Sequence, residues 1–234
     1  MKIRIVLITA LALFSQIWGS GADGTIENVS ELKDALKSPS WQNRMKAASE
    51  AENIKDENSQ EIIRTLFISL ESEIIHPDST RMRDGSYIVP SSALKEQYIL
   101  SIANLSTTDD SLLKIIADST TILRDWAKIA LGLIRPDHYR ADLINFIEKT
   151  DDGEIRVMAI RALAKAQNKK DAPVFISALK DSYKIFMPID HDKAGGDFLK
   201  EIYPARMEAI NALTILGYKV KWDSSGGFNV EEKK

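Results

Sequence analysis

Apolar residues recur along the chain at helical spacing, in pairs of runs separated by polar segments. The second run of each pair places small residues at fixed positions, in the order Arg-x-x-Ala-x-x-Ala-Leu. The complete copies are Arg124, Ala127, Ala130 and Leu131; Arg156, Ala159, Ala162 and Leu163; and Arg206, Ala209, Ala212 and Leu213. Small residues at this spacing let neighbouring helices approach closely, and each pair must bury its apolar face against the next. The pattern predicts an all-α solenoid of stacked helix pairs.

Two weaker copies extend the series to five units. One is anchored at Arg44, with Ala47 and Ala51, and the other at Lys95, with Tyr98, Ser101 and Ile102. A first apolar run precedes each anchor, and these runs occupy residues 29–36, 62–70, 112–116, 143–147 and 174–179. The anchors Lys95, Arg124 and Arg156 indicate a period near 30 residues, whereas units 2 and 5 are longer. We expect the recurring cation to pair with acids or carbonyls between units, as a packing residue.

The extra residues of units 2 and 5 form two insertions, at 71–91 and 181–203. Both lie between the two helices of their unit, so we expect them to project from the same edge of the stack. At about 8 to 10 Å between packed helices, their separation would be about 30 Å. Insertions escape the packing rule of the repeat and often carry binding residues. The candidate partner-binding residues here are Tyr87, Ile88, Phe186, Met187 and Phe198. The alternative is that the insertions fold back as an apolar lid on the solenoid.

A second group of candidates comes from the second helices themselves. Offsets from the fixed small residues place Asp125, Lys128, Arg161 and Asn211 on the face that would line an inner groove. Their mixed chemistry favours no single ligand type. We predict that they contribute to partner binding together with the insertions.

The last part of the chain, residues 218–234, has a different pattern. Alternation of apolar and polar residues from Tyr218 to Trp222 is followed by a turn and by Phe228-Asn-Val230, which predicts a small β-hairpin. Since the end of a solenoid needs cover for its outer face, we expect this hairpin to be a cap, followed by a short tail.

The second-helix pattern resembles that of HEAT repeats, in particular the short variety seen in phycocyanobilin lyase-like proteins. The segments from Leu123 to Gly132 and from Asp152 to Arg156 match it best. The resemblance covers residues 27–217, strongly in the last three units, and implies an α-solenoid while saying little about activity. Tetratricopeptide repeats are the nearest alternative, but their period of 34 residues and their Trp and Pro layout are lacking here.

The N-terminal segment has the features of a secretory signal peptide. Lys2 and Arg4 precede an apolar stretch from Ile5 to Phe14, and small residues follow from Gly19 to Ala22. We expect cleavage after Ala22 or after Gly19, which makes residues 23–217 the solenoid domain of a periplasmic or extracellular protein. An uncleaved membrane anchor remains the alternative. Because the chain contains no cysteine, a lipid-anchored form and disulfides are excluded.

Charge and chemistry narrow the function classes. The formal net charge is -3, and loss of residues 1–22 would make it about -5, so neither nucleic acid nor an anionic membrane is favoured. The three histidines His76, His138 and His191 stand apart, and the His-Glu pairs of HEAT-repeat hydroxylases do not occur. We therefore predict a non-catalytic protein–protein interaction scaffold or adaptor of the cell envelope, with no cofactor and an unidentified protein partner. The alternative is a ligand- or metal-binding protein, or a lyase-like HEAT-repeat enzyme, using the 181–203 insertion; its metal ligands would come from Asp190, His191 and Asp192.

Overall fold

A computed structural model describes residues 26–54, 59–77, 80–81, 87–88, 91–188, 199–222 and 227–232. Within these ranges, ten α-helices form five consecutive pairs, as the repeat pattern predicts. They are α1 (Val29–Ala35), α2 (Trp41–Glu50), α3 (Ser59–Ile75), α4 (Ser91–Leu105), α5 (Ser111–Ala117), α6 (Arg124–Ile134), α7 (Arg140–Lys149), α8 (Gly153–Ala164), α9 (Ala172–Ala178) and α10 (Pro204–Ile215). Odd-numbered helices are the first of each pair and even-numbered helices the second, giving units 1 to 5. In the part of the chain that the structure describes, no helix is long and apolar enough to cross a membrane.

Polar residues define several helix starts. The Asn28 side chain accepts a hydrogen bond from the Glu31 amide at the start of α1, at 3.0 Å. The Asp152 carboxylate accepts from the amides of Glu154 and Ile155, at 2.8 and 3.2 Å, at the start of α8. These side chains satisfy amides that have no partner within the helix.

The alanines of the repeat pattern lie in the core. Those in the second helices, and Ala51 directly after α2, are at most 1% exposed: Ala47, Ala51, Ala127, Ala130, Ala159, Ala162, Ala209 and Ala212. In unit 2 a buried serine takes one of these positions, and its hydroxyl, Ser101 Oγ, donates to the Ala48 carbonyl of α2 at 2.8 Å. The second helices contact one another more extensively than the first helices do. The even-numbered helices therefore form the inner, more tightly curved layer of the solenoid.

The recurring arginine is a packing residue in the units where its contacts are clearest. Arg44 Nη1 donates to the Ser38 carbonyl at 2.7 Å, and Arg156 Nη1 donates to the Thr150 carbonyl at 2.8 Å. Both carbonyls lie six residues upstream, in the turn that joins the two helices of the unit. This confirms the predicted structural role for Arg156. Arg124 is different, because it is about half exposed and pairs with its neighbour Asp125 at 2.9 Å.

The C-terminal hairpin is present as predicted. Strands β5 (Tyr218–Trp222) and β6 (Phe228–Glu232) pair antiparallel, with Val220 opposite Val230 and Trp222 opposite Phe228. Tyr218, Val220, Phe228 and Val230 pack against the core, and Lys169 Nζ contacts Glu232 Oε1 at 2.7 Å. The hairpin thus covers the end of unit 5.

Each insertion contains a short hairpin. In unit 2, β1 (Thr80–Arg81) pairs with β2 (Tyr87–Ile88), and α3 continues to Ile75, into the predicted insertion. In unit 5, β3 (Ile185–Pro188) pairs with β4 (Leu199–Ile202). Cα atoms of β2 and β3 lie within 8 Å of one another. The insertions therefore share one edge, as predicted, but the predicted separation of about 30 Å is wrong, since the curvature of the inner layer brings the two hairpins together.

Candidate interaction edge

The two insertion hairpins and the adjoining starts of α4, α8 and α10 form what we call the hairpin edge. Its backbone brings together four of the predicted binding residues, because Tyr87 and Ile88 constitute β2 while Phe186 and Met187 lie in β3. The fifth, Phe198, falls outside the described residues. Two segments that are about 100 residues apart in sequence thus contribute to one surface.

A group of polar side chains lies at the base of both hairpins. We call it the root cluster: its side chains are those of Ser92, Lys95, Glu154 and Tyr183, and the backbone of Gly153 completes it. The Glu154 carboxylate accepts a hydrogen bond from the Ser92 hydroxyl and forms an ion pair with the Lys95 ammonium. The Tyr183 ring packs directly against Gly153, the residue before Glu154, and its hydroxyl is close enough to Ser92 and Glu154 for both groups to influence its pKa. The cluster joins unit 2, unit 4 and the insertion of unit 5.

Burial distinguishes the root cluster from a surface salt bridge. The Lys95 and Glu154 side chains are only 12% and 20% exposed. Desolvation raises the pKa of Tyr183, and the Glu154 charge adds to this effect. A charged pair that is this poorly solvated stabilises the fold only while both partners are present. Removing one partner would leave the other charge buried without compensation, so we expect it to lower the free energy of unfolding.

Asp181 lies next to the root cluster, at the start of the second insertion. Its carboxylate accepts from Arg156 Nε at 2.6 Å and from Arg156 Nη2 at 3.2 Å, and also from the Tyr183 amide at 2.7 Å. The Asp181 carbonyl accepts from Arg206 Nε at 2.5 Å. Two repeat arginines, from units 4 and 5, therefore fix the same residue and set the direction in which the chain leaves α9.

The inner layer carries a second ion-pair network, centred on Arg161 of α8. Its guanidinium contacts Glu96 of α4 through Nη1 and Glu208 of α10 through Nη2, the latter at 2.6 Å. Burial alone would lower the Arg161 pKa, but the two carboxylates together raise it. Arg161, predicted to face a partner across an open groove, is instead engaged by two other units of its own chain.

The other predicted groove residues are not gathered around Arg161. Lys128 Nζ contacts Asp142 of α7 at 3.0 Å, and Asp125 pairs with Arg124. Asp125 and Lys128 both line a shallow cavity of about 340 Å³ between α6 and α7. The residues around this cavity are Arg124, Asp125, Lys128, Asp142, Asn145, Phe146, Lys149 and Thr150. Asn211 lies partly exposed on α10. Asp125 and Lys128 therefore face the next first helix, and the binding role of the four residues stays a prediction.

Sequence reasoning missed the root cluster. Tyr183 lies within the predicted insertion, but Glu154 and Lys95 fall on separate helices with no motif to connect them. The only local signal was Gly153, which directly follows the cap residue Asp152 at the first position of α8. A glycine at a helix start is consistent with close approach of another group, yet its partner lies 30 residues away.

Metal chemistry finds no support in the described ranges. Among the residues that the structure covers, no three His, Asp or Glu side chains are grouped in a way that could hold a metal ion. The alternative ligands Asp190, His191 and Asp192 lie outside those residues.

Comparison with known proteins agrees with the repeat architecture. Residues 110–185 match the family model described as HEAT repeats. This segment runs from the residue before α5 to the first residue of β3, and so includes units 3 and 4 with the first helix of unit 5. The match and the five stacked helix pairs together support a HEAT-repeat protein. No curated protein matches the sequence.

Proposed function

We propose that this protein is a non-catalytic interaction scaffold of the cell envelope, which binds another protein through the hairpin edge. HEAT repeats are commonly protein-interaction scaffolds, and the match at residues 110–185 supports that general class. The observation that carries the proposal is the contact between β2 and β3. Two insertions that the repeat does not require meet on one edge and create a surface that neither forms alone.

The ion pairs of the inner layer also favour the hairpin edge over the concave side as the binding surface. HEAT-like solenoids can bind partners along their concave side. Here Arg161, Glu96 and Glu208 contact one another across α4, α8 and α10. A partner entering at that point would have to break two partly buried ion pairs, whereas the hairpin edge requires no such disruption.

The envelope location rests on residues 1–22. The basic start, the apolar stretch and the small residues after it support export. The test is N-terminal sequencing of protein recovered from the periplasmic fraction, with Asp23 as the expected first residue. A chain that retains residues 1–22 in the membrane fraction would favour the anchor instead.

Binding is tested with the chain from residue 23 onward and two variants. In the first variant, residues 185–202 are replaced by a short Gly/Ser linker, and in the second residues 80–88 are replaced in the same way. Protein captured from envelope extract is identified, purified and titrated against each form. We expect each replacement to abolish binding of the same partner.

The matched control changes the opposite edge of the stack. Asp137 and Lys170 are exposed residues in the connections between units 3 and 4 and between units 4 and 5. The double variant Asp137→Ala and Lys170→Ala is expected to retain the affinity of the natural chain. Loss of binding in this control but not in the hairpin replacements would refute the proposal.

A further inference from the structure

The ends of the two insertions converge on the start of α8. The first insertion ends where α4 begins, and Ser92 is the second residue of that helix. The second insertion begins at Asp181, and Tyr183 follows two residues later. Both Ser92 and Tyr183 contact this helix start, Ser92 by donating to the Glu154 carboxylate and Tyr183 by packing its ring against Gly153. A third unit, which contributes no hairpin itself, thus connects the other two.

Gly153 provides the space for this arrangement. A Cβ atom at Gly153 would overlap the Tyr183 ring, with the ring atoms Cγ, Cδ1 and Cδ2 as its nearest neighbours. The clash would involve a rigid ring close to its attachment to the main chain, so the Tyr183 backbone would have to shift. Any residue with a side chain at this position would therefore move the start of the second hairpin away from α8.

The position of the Tyr183 backbone is set from the other side as well. Asp181 is held by Arg156 and Arg206, and its carboxylate accepts from the Tyr183 amide. Since Asp181 is fixed while β3 begins at Ile185, the Tyr183 contact governs the direction of the strand that approaches β2.

We infer that the root cluster is a latch that positions the two hairpins against each other, with Gly153 and Tyr183 as its positioning residues. With the latch closed, β2 and β3 form one continuous surface. With the latch open, each hairpin remains attached to its own unit, but the composite surface is lost. The latch does not depend on any partner. Its effect on binding affinity rests on the proposed function, because a partner that spans both hairpins binds only the closed arrangement.

The latch is tested first without any partner. The natural chain contains no cysteine, so a single engineered pair reports on one distance. Ile88→Cys with Met187→Cys places one thiol on each of the contacting strands, and Tyr87→Cys with Phe186→Cys is the second choice of pair. The rate of oxidative cross-linking then measures how often β2 and β3 meet.

Three further substitutions are introduced into that background. Gly153→Ala is expected to slow cross-linking by about tenfold or more, because the Tyr183 ring is displaced. Tyr183→Phe keeps the ring but removes the hydroxyl near Ser92 and Glu154, and is expected to slow cross-linking by about two- to tenfold, the range for loss of one polar interaction. Gly132→Ala is the matched control, since its Cβ would lie 2.7 Å from Leu143 Cδ2, in the core and away from the hairpins.

The control separates a latch from general destabilisation. Gly132→Ala is expected to lower the melting temperature while leaving the cross-linking rate unchanged. If Gly153→Ala and Tyr183→Phe leave the rate unchanged, or if all three variants slow it in proportion to their loss of stability, the latch is refuted.

Affinity for the captured partner is measured last, with the same variants lacking the cysteines. Slower cross-linking with a proportional loss of affinity supports both the latch and its coupling to binding. Slower cross-linking without a change in affinity would leave the latch established and overturn the proposed use of the composite surface. The two ideas therefore fail by different observations.

Discussion

Arg156 and Asp181 form a two-point contact, with Nε 2.6 Å from Oδ2 and Nη2 3.2 Å from Oδ1. The two side chains are 14% and 10% exposed, so little solvent screens them. Hydrogen bonding to Asp181 is the main cause of the raised Arg156 pKa. The same guanidinium also reaches the Thr150 carbonyl. A repeat residue whose ordinary role is to pack its own unit thus also fixes the start of an insertion in the next unit.

We predict that Arg156→Ala lowers the free energy of unfolding by about 3 kcal/mol, because it leaves the Asp181 carboxylate partly buried without its cation. Arg156→Lys should recover only part of the loss, since an ammonium cannot make the same planar two-point contact. Urea unfolding followed by circular dichroism measures both variants.

Arg124→Ala serves as the control for this comparison. Arg124 occupies the same repeat position in unit 3, but it is exposed and pairs with its neighbour Asp125. Its removal is expected to leave the free energy of unfolding nearly unchanged, because solvent screens an exposed ion pair. Equal losses for Arg124→Ala and Arg156→Ala would show that the Asp181 contact does not stabilise the fold.

For the Arg161 network we predict a large loss of stability when the arginine alone is replaced and a much smaller loss when all three charges are replaced together. Arg161→Met leaves Glu96 and Glu208 facing each other in a poorly solvated site, and is expected to lower the free energy of unfolding by about 3 to 5 kcal/mol. Replacing all three residues, with Glu96→Leu and Glu208→Leu added, should restore most of this loss, because the charges are removed together with their desolvation penalty.

Thermal unfolding of the single and triple variants measures this difference. The pair Glu96→Leu and Glu208→Leu, made without the Arg161 change, is the control, and it should be destabilised because Arg161 then lacks both carboxylates. A triple variant no more stable than Arg161→Met would mean that the network supplies a specific geometry that apolar side chains cannot replace.

Most of the solenoid could be predicted from the sequence because its determinants are local. Ala127 and Ala130 recur at the same offsets as Ala159 and Ala162, and a helical period needs no knowledge of distant residues. The same holds for the C-terminal hairpin, whose alternation is confined to a few residues around Val220. Patterns within short segments of the chain thus predicted both the helix pairs and the C-terminal hairpin.

The site could be predicted only in part, for a physical reason. The position of an insertion follows from the repeat, so Tyr87 and Phe186 were assigned to one edge. Their proximity depends on curvature, which accumulates from small rotations between units and is invisible in any single unit. The ion pair between Arg161 and Glu96 joins units 2 and 4, and no local pattern indicates that an apparently outward arginine has a partner 65 residues upstream.

The buried Tyr98 hydroxyl makes the free energy of unfolding depend on pH in the alkaline range. Its side chain is 1% exposed, and burial, as the main cause, raises its pKa to about 12. The Glu73 charge acts in the same direction, while Arg44, by its charge and by a hydrogen bond to the hydroxyl, acts in the opposite one. The unfolded chain loses this proton near pH 10, two units earlier.

We therefore predict that the free energy of unfolding falls as the pH rises from about 10 to about 12, by about 2 to 3 kcal/mol from this residue. The folded state keeps the Tyr98 proton in that interval while the unfolded state releases it, so the unfolded state gains stability. Below pH 10 both states are protonated and the contribution is fully present.

Urea unfolding at several alkaline pH values tests this assignment. Tyr98→Phe should be less stable at neutral pH, since Arg44 loses a hydrogen-bond partner, but should show a smaller decline above pH 10. Tyr139→Phe, at the cap of α7, is the matched control and should keep the decline of the natural chain. An unchanged slope in Tyr98→Phe would assign the alkaline instability to other groups.

We expect the C-terminal hairpin to stabilise the fold by covering the end of unit 5, and the exposed Trp222 to contribute little to this effect. Trp222 stacks on Phe228 with ring centroids 4.2 Å apart, yet it is 63% exposed, so Trp222→Ala is expected to lower the free energy of unfolding by only about 1 kcal/mol. A chain that ends at Gly217 loses Val220, Phe228 and Val230 as well, all of which pack against the core. Because the apolar face of α10 is then exposed to water, we expect a melting temperature several degrees lower and association at high concentration.

Calorimetry measures the melting temperature of the truncated chain, and light scattering measures its association. If the truncated chain stays monomeric and melts at the same temperature as Trp222→Ala, unit 5 needs no cap.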